Sequence, residues 1–176
     1  MEIKILDKTF VSYLSASEID VEVQRVANEL LREYENEIPV FLVVLNGAFM
    51  FAADLMKYYT SAAELSFVKM ASYSGTESTG DVTQLLGLDI DLTNRHVVII
   101  EDIVDTGNTI VALYNLVERF KVKSINTATL FFKPAAYKQS IGIKYTGFNI
   151  ENKFIVGYGL DYNKHGRNLG EVYQIK

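Results

Sequence analysis

The sequence predicts an α/β fold with a mainly parallel central sheet flanked by helices. Runs such as Val40–Leu45 and Val97–Ile100 are apolar at successive positions, as in strands covered on both faces. Segments of helical period separate the predicted strands, which is the pattern of parallel strands joined by crossovers. Short loops of glycine and polar residues follow the two apolar runs, at the end of a sheet where such folds bind ligands.

Taken in order, Ser15-Ala16-Ser17-Glu18 reads as a capping box. Ile19, Val23, Val26, Leu30 and Tyr34 then mark one face of a first helix. Val40–Leu45 follows Pro39 as a buried strand, and Asn46-Gly47 turns it into a helix from Phe49 to about Tyr59. Glu64 to Ala71 reads as a third strand. Ser72 to Asp81 has little to bury and is expected to be mobile. A short strand near Val82 to Leu86 closes that hairpin. Val97–Ile100 is the central strand, and Glu101 and Asp102 sit where it is expected to end. Asp105 to Thr109 then forms a tight loop, and Ile110, Leu113, Val117 and Phe120 mark a helical face. A strand at about Ser124 to Phe132 and smaller strands near Phe154 and Val172 complete the chain. The two chain ends are expected to build a small hood lobe, and 1–176 is read as one domain.

Composition bounds the function. The chain has 176 residues, 49% hydrophobic and 22% charged, as expected for a globular domain with a proper core. Net charge is −5 and the isoelectric point is about 5.1. No broad basic surface is therefore available for nucleic acid. With no cysteine, disulfides, thiolate metal sites and cysteine nucleophiles are excluded. Met1–Ile5 lacks a signal-type apolar region, and no apolar run approaches the roughly 20 residues of a membrane span. A cytoplasmic location is the expectation.

The chemistry concentrates at Glu101-Asp102-Ile103-Val104-Asp105-Thr106-Gly107-Asn108-Thr109. A buried strand delivers carboxylates to one sheet edge and then opens a helix. The first backbone N–H groups of that helix have no intrahelical partner, and its dipole favours an anion there. Gly107 permits close approach and the threonines add donors. This array suits a ligand with a phosphate and sugar hydroxyls, accompanied by a divalent metal. It is neither a P-loop nor a dinucleotide fingerprint. Taken singly, Asp105 or Thr106 is equally an ordinary helix cap. Adjacent carboxylates at a buried strand end repel each other, a cost that a structural loop would avoid.

The segment resembles the phosphoribosyl pyrophosphate (PRPP) motif of the type I phosphoribosyltransferases: an apolar strand, two acids, two apolar residues, then Asp-Thr-Gly-x-Thr. Further blocks follow in the family's order over about Phe41 to Tyr173. They are Leu45-Asn46-Gly47-Ala48, Ser72-Tyr73, Phe131-Phe132-Lys133-Pro134, and Phe154 to Tyr162 with Arg167. Together they resemble the hypoxanthine–guanine phosphoribosyltransferase family. The resemblance implies purine salvage by transfer of 5-phosphoribose from PRPP to hypoxanthine, and to guanine, with Mg2+ as cofactor. It implies that Asp105 to Thr109 hold the 5′-phosphate. Asn46, Gly47 and Arg167 would grip the pyrophosphate, the first two in a loop that often carries a non-proline cis peptide. Glu101 and Asp102 would hold the ribose hydroxyls, directly or through metal, and Asp161 would be a further metal contact. Asp105 would be the general base. Lys133 would donate to O6, Phe154 would stack on the purine, Ile155 would bind its edge, and Asp161 would also belong to the purine site. Ser72 and Tyr73 would open a loop that closes over the site. Many relatives carry lysine where this chain has Asn46, which removes a charge. A homodimer or homotetramer is implied.

Rival readings are a xanthine- or guanine-preferring member of the superfamily, a PRPP-sensing regulator that binds RNA, and a receiver-like domain phosphorylated on aspartate. Read without the resemblance, Lys133 is a solvated strand end and Phe154 a core residue. His96 and His165 fall in no catalytic pattern.

Overall fold

The computed structural model describes residues 1–70 and 90–176. The polar segment from Ser72 to Asp81, including Ser72 and Tyr73, and the predicted strand near Val82–Leu86 lie outside the described residues, as does Ala71.

The chain runs β1 (Glu2–Ile5), β2 (Lys8–Leu14), α1 (Ala16–Glu33), β3 (Val40–Leu45), α2 (Phe49–Tyr58) and β4 (Glu64–Lys69). It continues with β5 (His96–Val104), α3 (Asn108–Glu118), β6 (Ser124–Phe132), β7 (Tyr145–Asn149), β8 (Ile155–Val156) and β9 (Val172–Ile175). Five strands form a parallel sheet in the order β4-β3-β5-β6-β7. The other four form an antiparallel sheet, β1-β2-β9-β8. This second sheet is the hood: Phe10 lies opposite Ile175, so the two chain ends pair directly. Phe10, Val156 and Tyr173 form its small core.

The apolar runs follow from two-sided burial. Along β3 and β5, Phe41, Val43, Val98 and Ile100 pack on the face covered by α1 and α2. Val40, Leu42, Val97 and Ile99 pack on the opposite face, against Ile110, Leu113 and Val117 of α3. Each such side chain contributes roughly 1.5–3 kcal/mol on burial, and no polar residue interrupts Val40–Leu45 or Val97–Ile100. The capping box at α1 is present: Ser15 Oγ accepts from Glu18 N at 3.3 Å, and Glu18 Oε2 accepts from Ser15 N at 2.8 Å.

Topology positions the site. The β3–α2–β4 crossover leaves β3 on one side, and β5–α3–β6 leaves β5 on the other. Their carboxyl ends therefore flank the point where strand order reverses, which is where open α/β sheets bind ligands.

Some expectations are corrected. β5 does not end at Ile100. It runs through both acids to Val104, because β6 pairs with it as far as Val104↔Phe132. α3 ends at Glu118 with Arg119 as its C-cap. Phe120 thus lies past the helix and is 36% exposed; Lys121, with φ 52°, turns the chain away. β1, β2 and β7 have no counterpart among the predicted strands. Among the described residues, no helix is long and apolar enough to cross a membrane.

Candidate active site

Three segments converge on the carboxyl end of β5. The loop after β3 supplies Gly47, the end of β6 supplies Lys133, and the hood turn supplies Asp161 and Arg167. Together with Asp102 and Asp105 they line a cavity of about 330 Å³. Phe154, Ile155, Leu160 and Ile103 complete the lining. Glycine is required at position 47 for space: a Cβ there would lie 1.6 Å from Asp102 Oδ2. The β3 loop and the acidic end of β5 are thus in contact through a missing side chain. The peptide bond between Leu45 and Asn46 is cis, and Asn46 itself is exposed.

The two adjacent acids are handled by burial. Asp102 Oδ1 accepts from Ile103 N at 2.9 Å. Desolvation nevertheless pushes the Asp102 carboxyl up to about 6; the backbone donors and Arg167 pull the other way, and Asp161 adds to the rise. Glu101 is raised well above the usual carboxylate range, first by burial and then by the charge of Asp102. Its Oε2 is buried without a hydrogen-bond partner among the described residues. Unlike Asp102, Glu101 does not line the cavity.

Both cations lining the cavity are already paired. Lys133 Nζ sits 2.9 Å from Asp105 Oδ2, with Lys133 buried rather than solvated. Arg167 Nη2 lies 2.5 Å from Asp161 Oδ1, and Arg167 Nη1 donates to the Gly159 carbonyl at 2.6 Å. Asp161 Oδ2 accepts from Lys164 N at 2.6 Å. Phe154 is not core: it is 44% exposed, and it packs edge-on to Tyr162 and tilted against Phe10.

Beside the cavity, Asp105 to Thr109 lead into α3. Gly107 is the N-cap, and no side chain caps this helix. Ala48, the N-cap of α2, likewise supplies no side-chain cap. α1, remote from the cavity, is fully capped. The two helices that start at the site therefore leave N–H donors for an anion. Thr106, Asn108 and Thr109 are exposed there.

The structure thus brings together Gly47, Asp102, Asp105, Lys133, Phe154, Ile155, Asp161 and Arg167. It leaves Glu101 behind the cavity and Asn46 and Thr106 to Thr109 at its margin. Sequence reasoning missed Ile103 and Leu160, apolar residues with no chemical signature, and Tyr137 and Gln139, which pack on Gly107. His96 lies at the other end of β5, with Nδ1 2.6 Å from Ser124 Oγ.

Comparison with known proteins is consistent with this geometry. The family described as Phosphoribosyl transferase domain matches residues 12–163. The bifunctional protein TilS/HprT of Listeria innocua is 40% identical over 164 residues, covering 93% of this chain and 25% of that protein. The chain thus spans about a quarter of the length of that relative. The hypoxanthine-guanine phosphoribosyltransferase of Bacillus subtilis is 38% identical over 164 residues, covering 93% of this chain and 91% of the relative. A crystal structure of a hypoxanthine-guanine phosphoribosyltransferase from Bacillus anthracis superposes with a TM-score of 0.88 at 33% identity, covering 99% of this chain and 98% of that one.

The raised Asp102 carboxyl has a thermodynamic consequence. An unfolded aspartate loses its proton near 3.8, whereas in the fold Asp102 keeps it to about 6. The folded state therefore binds the extra proton between those values. The stabilisation is complete below the lower value and is lost as pH rises through the upper one. The span corresponds to about 3 kcal/mol. Urea unfolding of ligand-free wild type and Asp102→Asn should show the wild type losing about that much relative to the variant between pH 4 and 7. Parallel pH profiles would refute the assignment.

Proposed function

The chain belongs to the hypoxanthine-guanine phosphoribosyltransferases, transferases of purine salvage, and from this premise we propose that it joins 5-phosphoribose from PRPP to N9 of hypoxanthine and of guanine. The products are IMP or GMP and pyrophosphate. One observation carries the choice of base: the Lys133–Asp105 pair, a donor beside an acceptor in a cavity that also presents Phe154. A 6-oxopurine offers the complementary edge, with O6 accepting and the adjacent N7–H donating. Adenine, with an amino group at C6, would face Lys133 with a donor.

In this reading the purine lies against Phe154, with Lys133 holding O6 and the Ile155 backbone at the base edge. N9 bonds to C1′ as the C1′–O bond to pyrophosphate breaks, and positive charge builds on the ribose. Asp105 accepts the N7 proton. The uncapped start of α3, with Thr106 to Thr109, receives the 5′-phosphate. Arg167, Asn46 and Gly47 receive the pyrophosphate, where a planar guanidinium fits. Glu101 and Asp102 bind the ribose hydroxyls, and the unpartnered Glu101 Oε2 supports a role for that residue. Ser72 and Tyr73 keep their assignment to a covering loop on the resemblance alone.

Mg2+ fits the donor set. Asp102 is near enough to Asp161 to be raised by its charge, both line the cavity, and Glu101 would add a third carboxylate from behind it. Mg2+ is ordinarily held by one or two carboxylates plus substrate phosphates. When bound, the ion would supply positive charge to neutralise the leaving pyrophosphate. Both cavity cations are already paired with carboxylates, so the residues alone offer little net positive charge to PRPP. We read 1–176 as one phosphoribosyltransferase domain acting in the cytoplasm. We also read it as a homodimer or homotetramer, for which exposed Leu65 and Phe67 on edge strand β4 are candidate contacts.

A spectrophotometric assay with PRPP, Mg2+ and each purine tests the reading. Hypoxanthine and guanine should turn over, with adenine slower by at least about 100-fold. Turnover of xanthine alone, or of no base, would overturn it. Asp105→Asn should lower kcat about 100-fold or more while PRPP still binds. Near-normal turnover in that variant would remove Asp105 from the role of base.

A further inference from the structure

The segment that follows Lys133 returns to the start of α3. Lys133 O accepts from Ala136 N at 3.0 Å and from Tyr137 N at 3.1 Å, so the chain turns tightly. The Tyr137 ring is then fixed by an edge-on contact with Phe132, centroids 5.2 Å apart, and by its hydroxyl donating to Ile141 O at 2.5 Å. That ring lies over Gly107. Gly107 has φ +84°, and a Cβ there would lie 2.4 Å from Tyr137 Cε2 and 2.7 Å from Gln139 Cγ. Two residues further on, the Gln139 side chain spans the loop. Its Nε2 donates to Thr106 O at 3.2 Å and to Asn108 Oδ1 at 3.0 Å. A carboxamide nitrogen has two hydrogens, and here each has an acceptor, one on either side of Gly107.

We propose that Gln139 is a positioning residue for the 5′-phosphate loop. It pins Thr106 and Asn108 so that the uncapped N–H groups of α3 stay aimed at the phosphate. Tyr137 restrains Gly107 itself, but the exposed residues on either side of it, Thr106 and Asn108, are tied to this segment through Gln139. The Asn108 side-chain oxygen, an acceptor, would also be free to turn toward the phosphate. With its hydrogen bond to Gln139, that oxygen is held aside. The segment also begins at Lys133, so the contacts for the base and for the phosphate are fixed by one short stretch of chain. The inference rests on the reading of Asp105 to Thr109 as the phosphate site.

Gln139→Met keeps the length of the side chain and removes the donor. Loss of two modest hydrogen bonds predicts a rise of about five- to tenfold in KM for PRPP and in Ki for ribose 5-phosphate. Within about twofold, kcat and the purine KM should be unchanged, because no group that touches the base or the reacting atoms is altered. Asn108→Ala removes one of the two acceptors, so Gln139→Met should have a smaller effect in that background than in wild type. An unchanged KM for PRPP in Gln139→Met, with wild type active, would overturn the clamp and leave the phosphate-site reading standing. Equal losses in kcat and both KM values with a lowered Tm would also overturn it, by showing a general structural role. Fully additive effects of the two substitutions would do the same. A wild type that neither uses PRPP nor binds ribose 5-phosphate would overturn both.

Discussion

A carboxylate buried at the end of an apolar strand must be neutralised, paired or protonated, and that constraint organises this molecule. Removing an ionised carboxylate from water costs several kcal/mol even after relaxation. β5 carries two acids in succession into that setting and a third just beyond. Asp102 fits only because position 47 has no side chain, which draws the loop after β3 against the end of β5. The strand-order reversal between β3 and β5 leaves that junction open to ligand.

The acids reach their ground state in two ways. Burial raises the carboxyls of Glu101 and Asp102 above the ordinary range, Glu101 further through the charge of Asp102, while backbone donors limit the rise at Asp102. Asp105 and Asp161 are paired with Lys133 and Arg167. Both cations that could receive a polyanion are thus committed to neighbours. A substrate edge that offers an acceptor beside a donor can replace the Lys133–Asp105 contact without stranding either group. In the proposed reaction, Mg2+ arriving with a phosphate-rich ligand would supply the positive charge that lets the strand-end acids ionise. On the proposed reading, this is how a chain of net charge −5 would bind an anionic substrate.

What the sequence made legible was whatever is locally encoded. β3 and β6 were read to their observed ends, because a run covered on both faces has a composition of its own. The capping box at Ser15 was legible for the same reason. Residues of the sequence motifs meet in the cavity: Asp102, Asp105, Lys133, Phe154, Asp161 and Arg167 all line it. Features set by tertiary pairing were not legible. β5 runs past its apolar stretch because β6 supplies partners there. β1, β2 and β7 exist because of their neighbours; β7, Tyr-Thr-Gly-Phe-Asn, carries two weak strand formers. Phe120 continues the helical period, but the helix has already stopped. The pairing of Lys133 with Asp105 and the contact of Gln139 with the loop join residues far apart in sequence, and no local pattern announces them.

The account turns on burial making Asp102 keep its proton up to about pH 6 in the ligand-free fold and release it at lower pH once substrate and Mg2+ bind. Carbon-13 NMR of aspartate side-chain carboxyls, followed against pH, reads that state directly, and Asp102→Asn identifies the resonance by its loss. In the ligand-free protein the resonance should titrate near 6. With PRPP and Mg2+ bound, its midpoint should fall toward the ordinary carboxylate range. A resonance that titrates near 3.8 without ligand, or one that ligand does not move, would contradict the account.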